Sequence, residues 1–210
     1  MYIFDVKWSV TTAGPSPDHN NRIELFLLGC NKAQSGNPCK GCFNRPTWHR
    51  PKNARYYDPV FCAENIIQHA PNKYLTIGGG EPLDQIKDLI IMCSALKQAG
   101  FHILCYTWRD IFKALRGEYS DIDKQDIKAL IDVVDGFIDG EFILEKRCYE
   151  GDKEDGLFNS IGSTNQRLVF KTKEQILAYP VYAMKSIYFD LDNKMHVVGQ
   201  FIKFNDNGRE

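Results

Sequence analysis

The sequence predicts an α/β fold built on a mainly parallel sheet. Four apolar runs of strand length begin near residues 22, 74, 101 and 133. Segments of helical periodicity separate them, and this alternation is the signature of βαβ units. Glycines and an Asp-Pro step stand where helices should stop or start. A chain of 210 residues is one domain by length and buries enough surface to hold a core without disulfides.

The N-terminal Met1–Asp5 carries an acid where a signal peptide would place a basic and then an apolar run, so a cytoplasmic protein is expected. No run of ~18 apolar residues exists to cross a membrane. From Arg22 to Leu28 the chain is nearly continuously apolar and halts at Gly29, as a mostly buried strand does. Gly29 to Asn53 is rich in Gly, Asn, Pro, Lys and Cys and reads as a long loop. Asp58 is an N-cap and Pro59 a first helical residue for a helix over Pro59 to His69. Tyr74 to Ile77 forms a short strand that runs into Gly78-Gly79-Gly80. Ile86, Leu89, Ile90, Cys93 and Leu96 recur at helical spacing, and Gly100 stops that helix. A strand over Phe101 to Tyr106, helices over Asp110 to Leu115 and Lys124 to Asp132, and a strand over Val133 to Ile138 complete the core. Beyond Asn165, the apolar runs Arg167 to Phe170, Ile187 to Leu191 and Met195 to Phe204 read as strands of a C-terminal extension. No repeat or low-complexity tract occurs.

Ligands of such sheets gather at the carboxyl ends of the strands, where both the cysteine-containing loop and the glycine run fall. A net charge of -1 argues against a chain that binds phosphate backbones or membrane surfaces through a basic excess. Seven cysteines without a secretion signal fit metal binding, catalysis or burial better than a disulfide framework. Cys62, Cys93 and Cys105 lie on a helix or in a strand and are expected in the core, while Cys148 stands in a charged loop as a bystander.

Cys30, Cys39 and Cys42 share one loop with the spacing C-x8-C-x2-C. Core packing explains three cysteines in a polar loop poorly. Two metal readings stay open. A structural zinc site needs four ligands, and His49 could serve as the fourth. An iron–sulfur cluster held by three thiolates would keep one iron open for another ligand. Gly78 to Leu83 lacks the residues of a phosphate loop. Glu81 there would suit an ammonium group, and the glycines would let backbone approach a ligand, although a tight strand-to-helix turn explains them as well.

Together these features resemble the radical S-adenosylmethionine enzymes, and more narrowly the activating proteins of anaerobic ribonucleoside-triphosphate reductases. The residues that carry the resemblance run in order along the chain. They are Phe26-Leu27-Leu28-Gly29-Cys30, then Cys39-Lys40-Gly41-Cys42-Phe43-Asn44 with Pro46-Thr47-Trp48, and Gly79-Gly80-Glu81-Pro82-Leu83. Asp139-Gly140-Glu141-Phe142 and Gly162-Ser163-Thr164-Asn165-Gln166-Arg167 follow. The family spaces its first two cysteines more closely than the eight residues between Cys30 and Cys39, and the polar insertion is expected to loop out at small entropic cost. Wider relatives carry an aromatic residue where this chain has Gly41.

The resemblance implies a single radical S-adenosylmethionine domain over residues 1–210, with a core of about 20–170 and the extension after it. It implies an incomplete, TIM-like β/α barrel whose sheet of four to six strands is open on one side. Cys30, Cys39 and Cys42 would hold a [4Fe-4S] cluster. Gly78, Gly79, Gly80 and Glu81 would receive the methionyl ammonium of S-adenosylmethionine, and Gly41, Cys42 and Phe43 its nucleoside. A flavodoxin-like donor would supply the electron, and the substrate would be a glycine of the large reductase subunit. Thr107 and Trp108 could line the site, and Asn165, Gln166 and Arg167 could bind substrate peptide or brace a turn. The alternatives are a 7-carboxy-7-deazaguanine synthase-like enzyme and a non-enzymatic zinc module of three cysteines and His49.

Overall fold

The structure, a computed structural model, describes residues 1–10, 22–147, 161–171, 186–189 and 195–197. Its strands are β1 (Ile3–Val10), β2 (Arg22–Leu27), β3 (Tyr74–Gly79), β4 (His102–Thr107), β5 (Gly136–Asp139), β6 (Arg167–Phe170), β7 (Ser186–Phe189) and β8 (Met195–Val197). The helices are α1 (Asn31–Gln34), α2 (Pro59–His69), α3 (Ile86–Gln98), α4 (Ile111–Leu115) and α5 (Lys124–Val133). The strands form one sheet in sequence order. β2 to β5 run parallel to one another, as do β6 and β7, while the β1–β2, β5–β6 and β7–β8 pairs are antiparallel. The six strands β1 to β6 thus form a mixed, mostly parallel sheet that does not close on itself, and β7 and β8 continue it. That shape is compatible with a partial barrel.

Local chemistry explains the boundaries. The Asp58 side chain accepts from the Val60 and Phe61 N–H groups, and Pro59 takes the first position, so α2 starts where the sequence predicts. Gly100 adopts φ +83 just after α3, as a C-terminal stop requires. α5 runs through Val133, one residue past the predicted helix, so β5 begins at Gly136.

The helices cover one face of the sheet. Ile23, Leu25 and Leu27 of β2, Leu75 and Ile77 of β3, and Ile103 and Cys105 of β4 pack there against Cys62 and Ile66 of α2 and Leu89, Met92, Cys93 and Leu96 of α3. Each fully buried Leu or Ile contributes ~1.5–3 kcal/mol. Cys62, Cys93 and Cys105 are core residues, as expected; Cys148 lies outside the described residues. No helix among the described residues is long and apolar enough to cross a membrane.

Two elements depart from the sequence reading. β1 is an additional edge strand, antiparallel to β2, in which Phe4, Val6 and Trp8 alternate with Asp5, Lys7 and Ser9. The Gly29 to Asn53 segment is not all loop: α1 occupies part of the long Cys30–Cys39 spacing, closed by Gln34 and Ser35 N–H groups on the Cys30 and Asn31 carbonyls. A turn of 3-10 helix, Arg45–Thr47, follows the third cysteine.

Candidate metal centre

β2 delivers the chain to Cys30 at the carboxyl end of the sheet. Cys30 is the N-cap of α1, and the Ala33 and Lys32 backbone N–H groups beside its sulfur act to lower its thiol pKa. Burial still pushes the Cys30 thiol up. Burial likewise pushes Cys39 up to about 11, opposed by a hydrogen bond from the Phe142 N–H. The Trp48 indole donates to the Cys42 sulfur at 3.4 Å. Each thiol therefore already faces N–H donors of the kind that stabilise sulfur-bound negative charge. All three are free cysteines, outside any disulfide. Among the described residues, no three Cys, His, Asp or Glu side chains already form a metal-holding group. Closing the loop on a metal would bring the sulfurs together and displace their protons.

The loop is tied back on itself. Gly29 N–H bonds the Thr47 carbonyl at 2.7 Å, and Cys30 N–H bonds the Trp48 carbonyl at 3.0 Å. The turn after the third cysteine thus anchors the first. Gly41 has φ +80, and a Cβ there would meet Leu144 at 3.0 Å. Leu144 fills the room that an aromatic residue in this position would need.

The glycine run reaches the same edge. β2 and β3 pair Phe26 with Gly78 and Leu27 with Gly79. Gly80 and Glu81 N–H groups then bond the Leu27 and Gly29 carbonyls at 2.8 and 2.7 Å. A Cβ on Gly80 would stand 2.0 Å from the Gly29 carbonyl oxygen, and one on Gly79, at φ +100, would stand 2.4 Å from the Leu27 nitrogen. The turn reading thus explains Gly79 and Gly80, because the cysteine loop cannot approach without them. A Cβ on Gly78 would meet nothing closer than the Tyr106 ring at 3.9 Å.

Glu81 is fully buried, and its carboxylate is committed to the protein. It accepts from Leu83 N–H at 3.0 Å, Thr107 Oγ1 at 2.8 Å and Trp108 N–H at 3.1 Å. Arg109 Nη1 lies 3.0 Å away. Burial raises the Glu81 carboxyl, and the Arg109 guanidinium opposes that. The Glu81 N–H is spent on the Gly29 carbonyl, and its own carbonyl accepts from Asp84 N–H at 3.1 Å, so a second lone pair of that carbonyl is what Glu81 has left for an incoming ammonium. Thr107 braces Glu81 instead of lining a site. Arg109, absent from the sequence reading, also holds Asp84 at 2.9 Å and Asp121 at 2.6 Å.

The two later motifs close on each other. Arg167 Nε donates to Asp139 Oδ1 at 2.8 Å, Asn165 Nδ2 to the Glu141 carbonyl at 2.7 Å, and Gln166 Nε2 to the Gly140 carbonyl at 2.9 Å. Gln166 Oε1 accepts from the Gly162 and Ser163 N–H groups. Burial raises the Asp139 carboxyl, and Arg167 counters it. Asn165, Gln166 and Arg167 are therefore a brace. What they hold is the segment carrying Phe142, whose N–H bonds Cys39 and whose ring lies 4.9 Å from the exposed Phe43.

Among the described residues, the Trp108 indole N–H and the Asn31 side-chain oxygen are buried without a hydrogen-bond partner. Lys32, inside the cysteine loop, lies 5.2 Å over the Trp108 ring and 3.3 Å from Glu141. Three soft thiol ligands beside unsatisfied polar atoms fit a metal–sulfur group with a polar companion. His49 is exposed and lines an open cleft of about 860 Å³ with Arg50, Asp84 and Asp121. A family model described as a 4Fe-4S single cluster domain matches residues 19–169, a span that holds the three cysteines, the glycine edge and the Asp139–Arg167 brace. No curated protein matches the chain.

Proposed function

Because the chain belongs to the 4Fe-4S single cluster domain family, we propose that it is a radical S-adenosylmethionine activase that installs a glycyl radical on an anaerobic ribonucleoside-triphosphate reductase. The family supports an iron–sulfur cofactor over the zinc module. The observation that carries the finer reading is the number of thiols that the described residues bring to the carboxyl edge of the sheet. Cys30, Cys39 and Cys42 are there, while Cys62, Cys93 and Cys105 are locked in the core. Three thiolates on a [4Fe-4S] cluster leave one iron for S-adenosylmethionine. Reduced by one electron, such a cluster supplies cleavage of the sulfonium C–S bond into methionine and a 5′-deoxyadenosyl radical, which takes a hydrogen atom from the target glycine.

The chain itself does the positioning. The Gly78–Glu81 backbone offers groups to the methionyl ammonium, and the Glu81 carboxylate keeps that edge in place through β4. The main chain of Gly41, Cys42 and Phe43 faces the nucleoside, with the Phe43 and Phe142 rings as an apolar wall. The Trp108 indole is a ready donor to an acceptor on the cosubstrate. An open, partial TIM-like barrel leaves room for a loop of the large reductase subunit, and a flavodoxin-like donor in the cytoplasm supplies the electron. Mixing the reduced protein and S-adenosylmethionine with the reductase should give a glycyl doublet in the electron paramagnetic resonance spectrum. The longer Cys30–Cys39 segment keeps a 7-carboxy-7-deazaguanine synthase-like activity as a second reading. Turnover of the pterin substrate without a glycyl doublet would favour it.

A further inference from the structure

The near-zero net charge conceals a local asymmetry. From Leu25 to Tyr57 the chain has no aspartate or glutamate, yet it carries Lys32, Lys40, Arg45, Arg50, Lys52 and Arg55. Lys32 and Lys40 pair with Glu141 and Glu145. Arg45, Arg50, Lys52 and Arg55 are exposed and have no carboxylate partner among the described residues. Arg45 and Arg55 instead rest over the Trp48 and Tyr57 rings, and Arg50 over Tyr2.

This basic stretch is also the part of the surface wired to the cysteines. Trp48 donates its indole N–H to the Cys42 sulfur at 3.4 Å, and its carbonyl accepts from Cys30 N–H. On one flank the cations give way to Asp84, Asp88 and Asp121 in the cleft that Arg50 shares. An acidic partner is attracted to one side and repelled from the other, which sets its orientation as well as its approach. A nucleic acid is the poorer match, since four cations in a chain of net charge -1 neutralise few phosphates.

We propose that Arg45, Arg50, Lys52 and Arg55 form the docking face for an acidic one-electron carrier protein, and that Trp48 is the contact leading from it to Cys42. The inference rests on the cluster reading above. One electron leaves the reduced cofactor of the carrier and enters the cluster, with no bond made and no proton moved.

The test compares reduction of the reconstituted protein by a reduced acidic flavodoxin and by dithionite. Arg45→Glu/Lys52→Glu/Arg55→Glu should slow reduction by flavodoxin at low salt by at least about tenfold and abolish its salt dependence. The corresponding triple glutamine variant should fall between, and dithionite should reduce all three proteins alike. Trp48→Phe should leave flavodoxin binding unchanged and slow electron transfer. Titrating iron-free protein with oxidised flavodoxin reads the docking face alone, and binding should vanish in the triple glutamate variant. Reduction and binding unaffected by charge reversal would overturn the proposal. So would binding of a labelled RNA that the reversal removes. Failure of the cluster reading itself would show separately, as no reduction by dithionite.

Discussion

Glu81 and Arg109 meet at 3.0 Å, and solvent reaches neither side chain beyond 1%. Glu81 follows β3 and Arg109 follows β4, so one ion pair joins two neighbouring strand ends at the edge that carries the glycines. Removing one member of such a pair leaves a buried charge uncompensated. Arg109→Met should therefore destabilise the iron-free protein by ~3–5 kcal/mol, lowering its melting temperature by roughly 10 °C. Adding Glu81→Gln should recover part of that loss. A melting temperature that does not move in Arg109→Met would show the pair to be unimportant.

Gly78, Gly79 and Gly80 should not respond alike to substitution. Gly80→Ala forces a methyl group into the Gly29 carbonyl oxygen and should cost at least ~3 kcal/mol with loss of bound iron. Gly78→Ala meets only ordinary contacts and should fold normally. Iron content and thermal melting of the two variants compare them, and equal behaviour would refute the close-approach argument.

Arg167 and Asp139 form the corresponding clasp between β5 and β6. Arg167→Met should destabilise by ~3 kcal/mol or more by stranding the buried carboxylate. It should also lower iron retention, because the clasp holds the Phe142 segment against Cys39. Asp139→Asn in the same chain should restore much of the stability. If the double variant is no better than Arg167→Met, the cost is not a stranded charge.

His102 gives stability a pH dependence. Burial holds its imidazole down to about 4, and Arg22, whose Nη1 is 3.2 Å from Nδ1, adds to the effect together with Lys97, against Asp135. The unfolded chain takes up the proton near pH 6.5, so it binds more protons than the folded chain between those values. This stability is complete above about pH 6.5 and is lost as pH falls toward 4, by at most ~3 kcal/mol. Urea unfolding of the parent and of His102→Gln across that range should show the extra slope in the parent alone. Parallel curves would contradict it.

The parts of this molecule that were legible in the sequence are those set by local rules. Asp58 and Pro59 mark α2 because capping depends on adjacent residues, and the cysteine loop and glycine run are recognisable by their spacing. β1 carries a different signal from the buried strands, since Phe4, Val6 and Trp8 alternate with Asp5, Lys7 and Ser9 at the period of a strand without the continuous apolar run that marks β2. The ion pairs of Glu81 with Arg109 and of Asp139 with Arg167 join residues 28 apart in sequence, and neither periodicity nor spacing encodes such a meeting. The glycine motif made Glu81 look like a ligand to an ammonium. Its burial, which only the packing of β3 against β4 determines, turns the carboxylate to a structural task.

The most direct measurement of the central claim is release of 5′-deoxyadenosine from S-adenosylmethionine by the anaerobically reconstituted, dithionite-reduced protein. The parent should be brown, bind about four irons per chain and release 5′-deoxyadenosine, whereas Cys30→Ala, Cys39→Ala and Cys42→Ala should each release none. A colourless protein holding one tight zinc, or an iron-loaded protein that leaves S-adenosylmethionine intact, would contradict it.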